Sequence, residues 1–303
     1  MFGTSALPLR RNILLAPFTT MKIGGPASYF AEPENEEQLR KILDWARQER
    51  LSCFVLGNGS NVIFDDAGYE GLVLAMRRFR NDLLRVDLES CRATVSAGVS
   101  LARLVRFCQE SGLAGAEFLA QIPGTVGGAL VMNAGFSRHE GQLNAIGDLV
   151  EELRGLNRDG EVVTRGRPEM KFSYRHAEIG VMIVLEATLQ LWRRSKDQIA
   201  REMKANLDFR KKRQSIKEPN AGSVFKNPPG PGPSAGFLIE RAGLKGKRIG
   251  GVEICDQHAN YFINKNGRAT SADVVRLMNE VRKIIFDANG ILLEPEIRVI
   301  PKN

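Results

Sequence analysis

A serine, an arginine and a glutamate stand out in this 303-residue chain for the chemistry they could share. Ser223 lies in "AGSVFKNP", residues 221–228, outside any G-x-S-x-G elbow, and the nearest histidine in sequence, His258, is 35 residues away. That spacing speaks against an acyl-transfer nucleophile with a neighbouring base. A serine hydroxyl can instead hand a proton to a carbanion or enolate where nearby donors stabilise the anion; the other reading is a turn serine bonding its own backbone. Arg175, in "KFSYRHAEIG", precedes an apolar run at 181–191 and is expected at a strand mouth with its guanidinium fork turned into a cleft. There it would bind a carboxylate bidentately, the alternative being a solvated surface arginine. Glu296 falls on the polar side of "ILLEPEIRVI", either exposed or aimed into a site. His139, His176 and His258 read as surface or supporting residues.

Two glycine-rich stretches could bring main-chain N–H groups around a phosphate. In "VLGNGSNVIF", Gly57 and Gly59 follow a strand-like run, but Val62 stands where the dinucleotide fingerprint needs glycine. A plain turn is an equal reading of that stretch. "QIPGTVGGALVMNAG" supplies Gly124, Gly127 and Gly128 and runs in small and polar residues to Asn133; close packing of a helix on a sheet is the competing explanation. Together the two favour a bulky ligand carrying a pyrophosphate. "GLKGKR" near 246 lacks the leading glycine and the Ser/Thr of a Walker A loop.

The elements that must hold these residues are mixed. Residues 34–50 place Leu39, Ile42, Leu43 and Ala46 on one helical face, followed by the strand-like "SCFVL". "GLVLAM" and "RATVSAG" read as short strands. "SLARLVRFCQESG" reads as a helix capped by Ser100, with Leu101, Leu104, Val105 and Cys108 inward and Gly112 at its end. From 148 to 191 strands dominate, with a hairpin turning at Asp159-Gly160, which favours α+β over repeated βαβ units. After a basic helix at 196–213, "EPNAGSVFKNPPGPGPSAG" is too rich in glycine and proline for regular structure and reads as a long loop, of a kind that is either functional or disordered. A helix at 271–288 follows, capped by Thr270 or Ser271, with Val274, Val275, Met278, Val281 and Ile285 inward and Gly290 ending it. A last strand then puts Glu294, Glu296 and Arg298 on one face and Ile291, Leu293, Ile297 and Val299 on the other.

Composition bounds the class. With 43% hydrophobic residues the chain can bury a sizeable core in two or three domains. The balance of 43 Lys+Arg against 35 Asp+Glu suits a polyanion or a phosphorylated small substrate, yet the basic residues are dispersed apart from "FRKKRQ" at 209–214, with no interleaved aromatics, which argues against nucleic acid. Cys53, Cys91, Cys108 and Cys255 form no CxxC pair, so no metal is expected and reduced core thiols are. No apolar run approaches the ~18 residues that span a bilayer, and "MFGTSALPLRRN" lacks a signal-peptide core, so a cytosolic protein free of membrane is expected.

As a set, "TMKIGGPASYF", "LGNGSNVIF", "IPGTVGGALVMNAG", "FSYRHA", "AGSVFKNP", "AGFLIERAGLKGKRIGG", "HANYFIN" and "LEPEIR" stand in the order and spacing of one family. The chain from about Thr20 to Val299 resembles the UDP-N-acetylenolpyruvoylglucosamine reductases of bacterial peptidoglycan synthesis. The uninterrupted link from Tyr174-Arg175 to residue 181 is similar to their shorter, type II form. The resemblance implies an α+β fold: an FAD-binding fold of the vanillyl-alcohol-oxidase type in two α/β subdomains (1–80 and 81–195), and a C-terminal substrate domain (196–303) whose last strand near 291–299 returns to the active site. It implies FAD held noncovalently by Gly57, Asn58, Gly59, Ser60 and Asn61 and by Ile122, Pro123, Gly124, Thr125, Gly127, Gly128, Ala129, Asn133, Ala134 and Gly135. NADPH would reduce the flavin and leave, and UDP-N-acetylglucosamine-enolpyruvate would enter the same cleft. Arg175, Ser223 and Glu296 would be catalytic. Hydride delivered to the terminal enol-ether carbon drives charge toward the carboxylate, Arg175 stabilises it, Glu296 polarises the intermediate or assists the proton relay, and Ser223 protonates the adjacent carbon. Tyr174, Lys226, Asn227 and Gln257 would contact the substrate. A cytoplasmic bacterial monomer is implied. The chain departs from the family pattern at Gln121, at Val131, at "FSRHE" and at "RQSIKEPN", the last of which leaves Lys217 as an extra phosphate contact.

Overall fold

The computed structural model describes residues 7–79, 84–136, 143–157, 159–214 and 217–302. His139 and "SRHE" lie outside them. The chain divides into two compact units that do not follow chain order: one holds the described residues of Met1–Leu9, Ala31–Asn58 and Val73–Lys211, the other those of Arg10–Phe30, Gly59–Leu72 and Lys212–Asn303.

The first unit is organised by a five-stranded sheet in the order Val162–Gly166, Val150–Leu156, Ile183–Gln190, Arg92–Ser96, Leu84–Asp87, antiparallel throughout. The register sets Leu153 beside Ala187 and Ala187 beside Val95, a fully buried row across three strands. Such a row arises because period-2 alternation sends every second side chain to the same face. The hairpin at its edge turns where the sequence reading put it, with Asn157 N donating to Glu161 O and Gly160 in the left-handed region at φ +81°. Helix α1 (Glu36–Gln48) is capped by Asn35, whose side chain accepts from Gln38 N, and buries Leu39, Ile42, Leu43 and Ala46 as expected. Helix α2 (Leu101–Glu110) is capped by Ser100 and buries the expected Leu101, Leu104, Val105 and Cys108. Helix α3 (Val126–Val131) packs with α2 into the same core. Helix α4 (Lys196–Gln214) adds Phe209, edge-on to Phe136 at 5.8 Å.

The second unit carries a four-stranded antiparallel sheet in the order Asn220–Ser223, Tyr261–Asn264, Val252–Ile254, Arg248–Ile249. Helix α5 (Ala235–Arg241) and helix α6 (Ser271–Asn289) close a core in which Phe225 and Phe262 meet edge-on at 6.1 Å. Of the two candidate caps of α6, Thr270 takes the role and forms a capping box with Asp273, while Ser271 is the first helical residue, its N and Oγ donating to the Asp66 carboxylate at 2.9 and 2.8 Å. Val275 is only half-buried and Leu277 takes the inward place beside Val274, Met278, Val281 and Ile285.

Two expectations are corrected. Residues 218–236 are not one irregular loop: Asn220–Ser223 is a strand, because Tyr261–Asn264 offers it a partner and Gly222, at φ +76°, lets it bulge between its two pairing points. The last strand is shorter than 291–299. Only Arg298–Ile300 pairs regularly, in parallel with Val62–Phe64, while Pro295, lacking an N–H, makes an isolated bridge to Phe225. The expected alternation persists all the same, with Leu293 and Ile297 buried and Glu294 and Arg298 exposed.

All four cysteines are free; Cys108 and Cys255 are buried and Cys53 and Cys91 half-buried. Among the described residues no helix is long and apolar enough to cross a membrane, and no cluster of His, Cys, Asp or Glu could hold a metal ion.

Candidate active site

In the first unit the two glycine stretches meet. Gly57 leaves the strand Cys53–Leu56 so close to the start of α3 that a Cβ on it would lie 2.7 Å from Thr125 Oγ1 and 3.8 Å from Gly128 Cα. Thr125 is fixed there as the N-cap of α3, its hydroxyl accepting from Gly128 N, and Val126 N and Gly127 N donate to Val99 O and Ala97 O. The glycines do different work. Gly127 faces the protein, where a Cβ would come within 2.9 Å of Ala97 Cβ. Gly128 is exposed, and an added Cβ there would touch only Thr125 Oγ1, at 3.5 Å. Asn58 and Pro123 are also exposed, Ile122 and Gly124 half-buried, and Ala129 buried in the core.

These residues fit a pyrophosphate. The open positions near α3, Asn58, Pro123 and Gly128, present main chain and an amide, and no carboxylate side chain occurs in 57–61 or 122–135 to repel an anion. One turn ahead, in the 3₁₀ segment Glu117–Gln121, Glu117 Oε1 and both polar atoms of Gln121 are buried without a partner among the described residues. Buried polar atoms of this kind are costly unless something bonds them. Gln121 is a residue that only its departure from the family pattern flagged.

Asn133, Ala134 and Gly135 hold the chain together here. Asn133, buried and at φ +42°, donates from Nδ2 to Ser173 O at 2.8 Å and accepts from Gly147 N at 3.0 Å; Ala134 O accepts from Ile146 N. Asn133 thereby pins the hairpin formed by Lys171–Ser173 and His176–Glu178, whose two-residue turn is Tyr174-Arg175. Arg175 therefore does not sit at the mouth of the strand toward 190. It stands at a hairpin tip with φ +55°, its Nη1 donating to Gly135 O at 3.1 Å and its guanidinium 5.2 Å from the Tyr174 ring centre. The intervening strand His176–Glu178 consumes the stretch that the apolar run at 181 was expected to follow directly.

Beyond Asn58 the glycine-rich stretch passes into the second unit. Gly59 is buried at φ +65°, and a Cβ would lie 2.2 Å from Phe18 O, so only glycine fits; its carbonyl accepts from Thr20 N at 3.0 Å. Ser60 is half-buried. Asn61 Nδ2 donates to Glu296 O at 3.0 Å, and Asn61 O accepts from Arg298 N.

The segments that carry Ser223 and Glu296 run next to each other in this unit. Ser223 ends its strand opposite Tyr261, and the next carbonyl, that of Val224, accepts from Glu296 N at 2.8 Å. Lys226 N donates to Glu294 O, and its ammonium pairs with the Glu294 carboxylate at 2.5 Å. Asn227 Oδ1 accepts from Ala235 N at the start of α5. Gln257 and Lys217 are exposed. Asn260 is the residue that the sequence reading passed over: its side chain grips Phe225 from both ends, accepting from Phe225 N at 3.0 Å and donating to Phe225 O at 2.8 Å. Only a structure could single it out, since asparagine in "HANYFIN" carries no spacing signal.

Family models match both parts of the chain. One described as FAD binding domain covers residues 27–166, and one described as UDP-N-acetylenolpyruvoylglucosamine reductase, C-terminal domain, covers residues 214–300. Relatives named UDP-N-acetylenolpyruvoylglucosamine reductase include that of Moorella thermoacetica, 42% identical over 97% of this chain and 93% of its own length. That of Prochlorococcus marinus is 38% identical over 97% and 98%. The crystal structure of the UDP-N-acetylenolpyruvylglucosamine reductase from Thermus caldophilus matches with a TM-score of 0.79 at 34% identity, over 97% of this chain and 99% of that one. The expected α+β architecture, an FAD binding domain and the reductase C-terminal domain, is met.

Proposed function

The chain belongs to the UDP-N-acetylenolpyruvoylglucosamine reductase family, and on that premise we propose that it reduces UDP-N-acetylglucosamine-enolpyruvate to UDP-N-acetylmuramate in peptidoglycan synthesis, with NADPH as reductant and noncovalent FAD as carrier. The observation that supports the reading is the joining of the two segments that carry Ser223 and Glu296, with Glu296 N donating to the carbonyl of Val224, the residue after the serine.

Bound FAD supplies hydride storage between the nicotinamide and the vinyl carbon. Gly57 and Gly128, with Asn58, Pro123 and the Thr125 hydroxyl, would hold its pyrophosphate between two stretches that carry no carboxylate side chain. Reduction of a C=C bond adds one hydride and one proton. The hydride equivalent goes to the terminal carbon, and the charge left behind delocalises into the adjoining carboxylate. Arg175 is the residue for that charge: a guanidinium stays protonated and its fork matches a carboxylate. Gly135 O and the Tyr174 ring are among the groups that hold it. Ser223 Oγ–H donates the proton to the remaining carbon, and Glu296 polarises the intermediate or assists the relay. Lys226, Asn227, Tyr174 and Gln257, with Lys217, supply cations, amides and a ring for the diphosphate and sugar. On the same reading the enzyme acts as a monomer in the bacterial cytoplasm.

Ser223→Ala tests the assignment. In anaerobic stopped flow, NADPH should bleach the flavin at the parental rate, while reoxidation by the enolpyruvyl sugar nucleotide slows by ~10²- to 10⁴-fold, the usual cost of losing a positioned proton donor. Equal slowing of both half-reactions would contradict the role.

A further inference from the structure

We propose that Asn260 is a positioning residue for the proton-transfer half of the reaction, setting Ser223 and Glu296 in place through the main chain of Val224 and Phe225. The inference rests on the reading of Ser223 and Glu296 given above.

Regular pairing of the Ser223 strand stops at Ser223 itself, opposite Tyr261. The two residues that follow would be left with buried main-chain groups and no strand partner on that side. Asn260 replaces the partner. Its main-chain O accepts from Val224 N at 2.8 Å, and its carboxamide, an acceptor and a donor in one plane like a peptide group, binds Phe225 N and O. Phe225 is 1% exposed and Asn260 3%, so water does not compete for these bonds. The opposite edge of the same two residues faces the Glu296 segment: Val224 O accepts from Glu296 N, and Phe225 bridges Pro295. Asn260 is itself held, its N–H donating to His258 Nδ1 at 3.3 Å. Val224–Phe225 is thus a rib clasped by Asn260 on one side and carrying the glutamate on the other, with the serine at its head. Misplacing reacting groups by about 1 Å can cost ~10²-fold in rate, so a residue that only touches main chain can control this step.

Asn260→Asp keeps the acceptor for Phe225 N and removes the donor to Phe225 O, placing a carboxylate oxygen against that carbonyl; Asn260→Ala removes both bonds. Purified holoenzyme variants are reduced with NADPH anaerobically and mixed with the enolpyruvyl sugar nucleotide, with flavin absorbance followed in each half-reaction. Flavin content and the reduction rate are expected to stay within about twofold of the parent, and reoxidation to slow roughly ten- to hundredfold. In a Ser223→Ala background, Asn260→Asp should add less than about threefold, because two residues acting on one step are non-additive. Equal slowing of both half-reactions, or a full additional loss in the Ser223→Ala background, would overturn the role of Asn260. Reoxidation at the parental rate in Ser223→Ala alone would instead refute the proton-donor reading on which it rests. If Asn260→Ala does not fold, the Asp variant carries the test.

Discussion

Gly128→Ala and Gly127→Ala, one position apart in the same motif, should move stability in opposite directions and separate packing from ligand contact. At Gly128 the new methyl meets only Thr125 Oγ1 at 3.5 Å, an ordinary contact, so the apoprotein gains the helix preference of alanine over glycine, up to about 1 kcal/mol. That raises the apoprotein Tm by up to about 1.5–2 °C for a chain of this size. The same methyl stands on the exposed face that the flavin pyrophosphate is proposed to approach, and FAD affinity should fall at least tenfold, about 1.4 kcal/mol. At Gly127 the methyl lies 2.9 Å from Ala97 Cβ and 3.3 Å from Ala97 O. Overpacking of that kind costs ~1–3 kcal/mol, more than alanine returns, so the Tm drops; adding Ala97→Gly should restore most of it. Circular-dichroism melts of the apoproteins and titration of FAD by quenching of its fluorescence give both quantities. Gly128→Ala protein that binds FAD as tightly as the parent would refute the cradle, and Tm shifts of the same sign would refute the division of labour between the two glycines.

Two further outcomes follow from buried ionisable groups. Burial pushes the Cys53 and Cys108 thiols up to about 12, so Cys53→Ser and Cys108→Ser should leave the reaction of native protein with dithionitrobenzoate at pH 8 unchanged, whereas a vanished fast phase would disprove it. Burial alone would raise the Asp273 carboxyl, but the N–H groups of Gly251 and Thr270, Arg276 and the Thr270 hydroxyl outweigh it and hold it below the ordinary carboxylate value. A depressed folded-state pKa adds stability that is complete above the unfolded value near 3.9 and disappears as pH falls through the folded one. The urea-midpoint difference between parent and Asp273→Asn should therefore be constant near neutrality and shrink from about pH 4 downward, and an undiminished difference at the acid end would count against it.

How much of this could be read from residues alone depended on the range of the interaction. Helices α1, α2 and α6 were legible, because Asn35, Ser100 and Thr270 cap within three residues and the apolar stripes repeat within a turn. The hairpin at Asp159-Gly160 was legible for the same reason. The strand Asn220–Ser223 was not, since its partner lies about forty residues on and its own glycine and proline content argues for a loop. Arg175 was misplaced because a three-residue strand, His176–Glu178, is too short for a period to show. The two glycine stretches were found, but not which glycine packs and which is open: Gly59 and Gly127 are pressed against Phe18 and Ala97, contacts that no local pattern announces.

The Ser223 segment of the second unit shows why its residues looked structureless. Its regular pairing stops at Ser223, and the glycines and prolines that follow up to Ser234 favour no further strand. Its order comes instead from carboxamides standing in for peptide groups. Asn220 Oδ1 accepts from Gly222 N ahead of the serine, Asn260 clasps Phe225 behind it, Asn227 Oδ1 receives the first N–H of α5, and Asn61 Nδ2 holds the Glu296 carbonyl. Each is a short side chain that bonds backbone where no second strand reaches, the same property that makes asparagine a poor helix former. The order of this segment is therefore shared between the sheet that ends at Ser223 and these four side chains. Substitutions at these asparagines should shift the geometry of Ser223 and Glu296 before they unfold the unit, which is what the proposed proton-donor role of Ser223 would require of its surroundings.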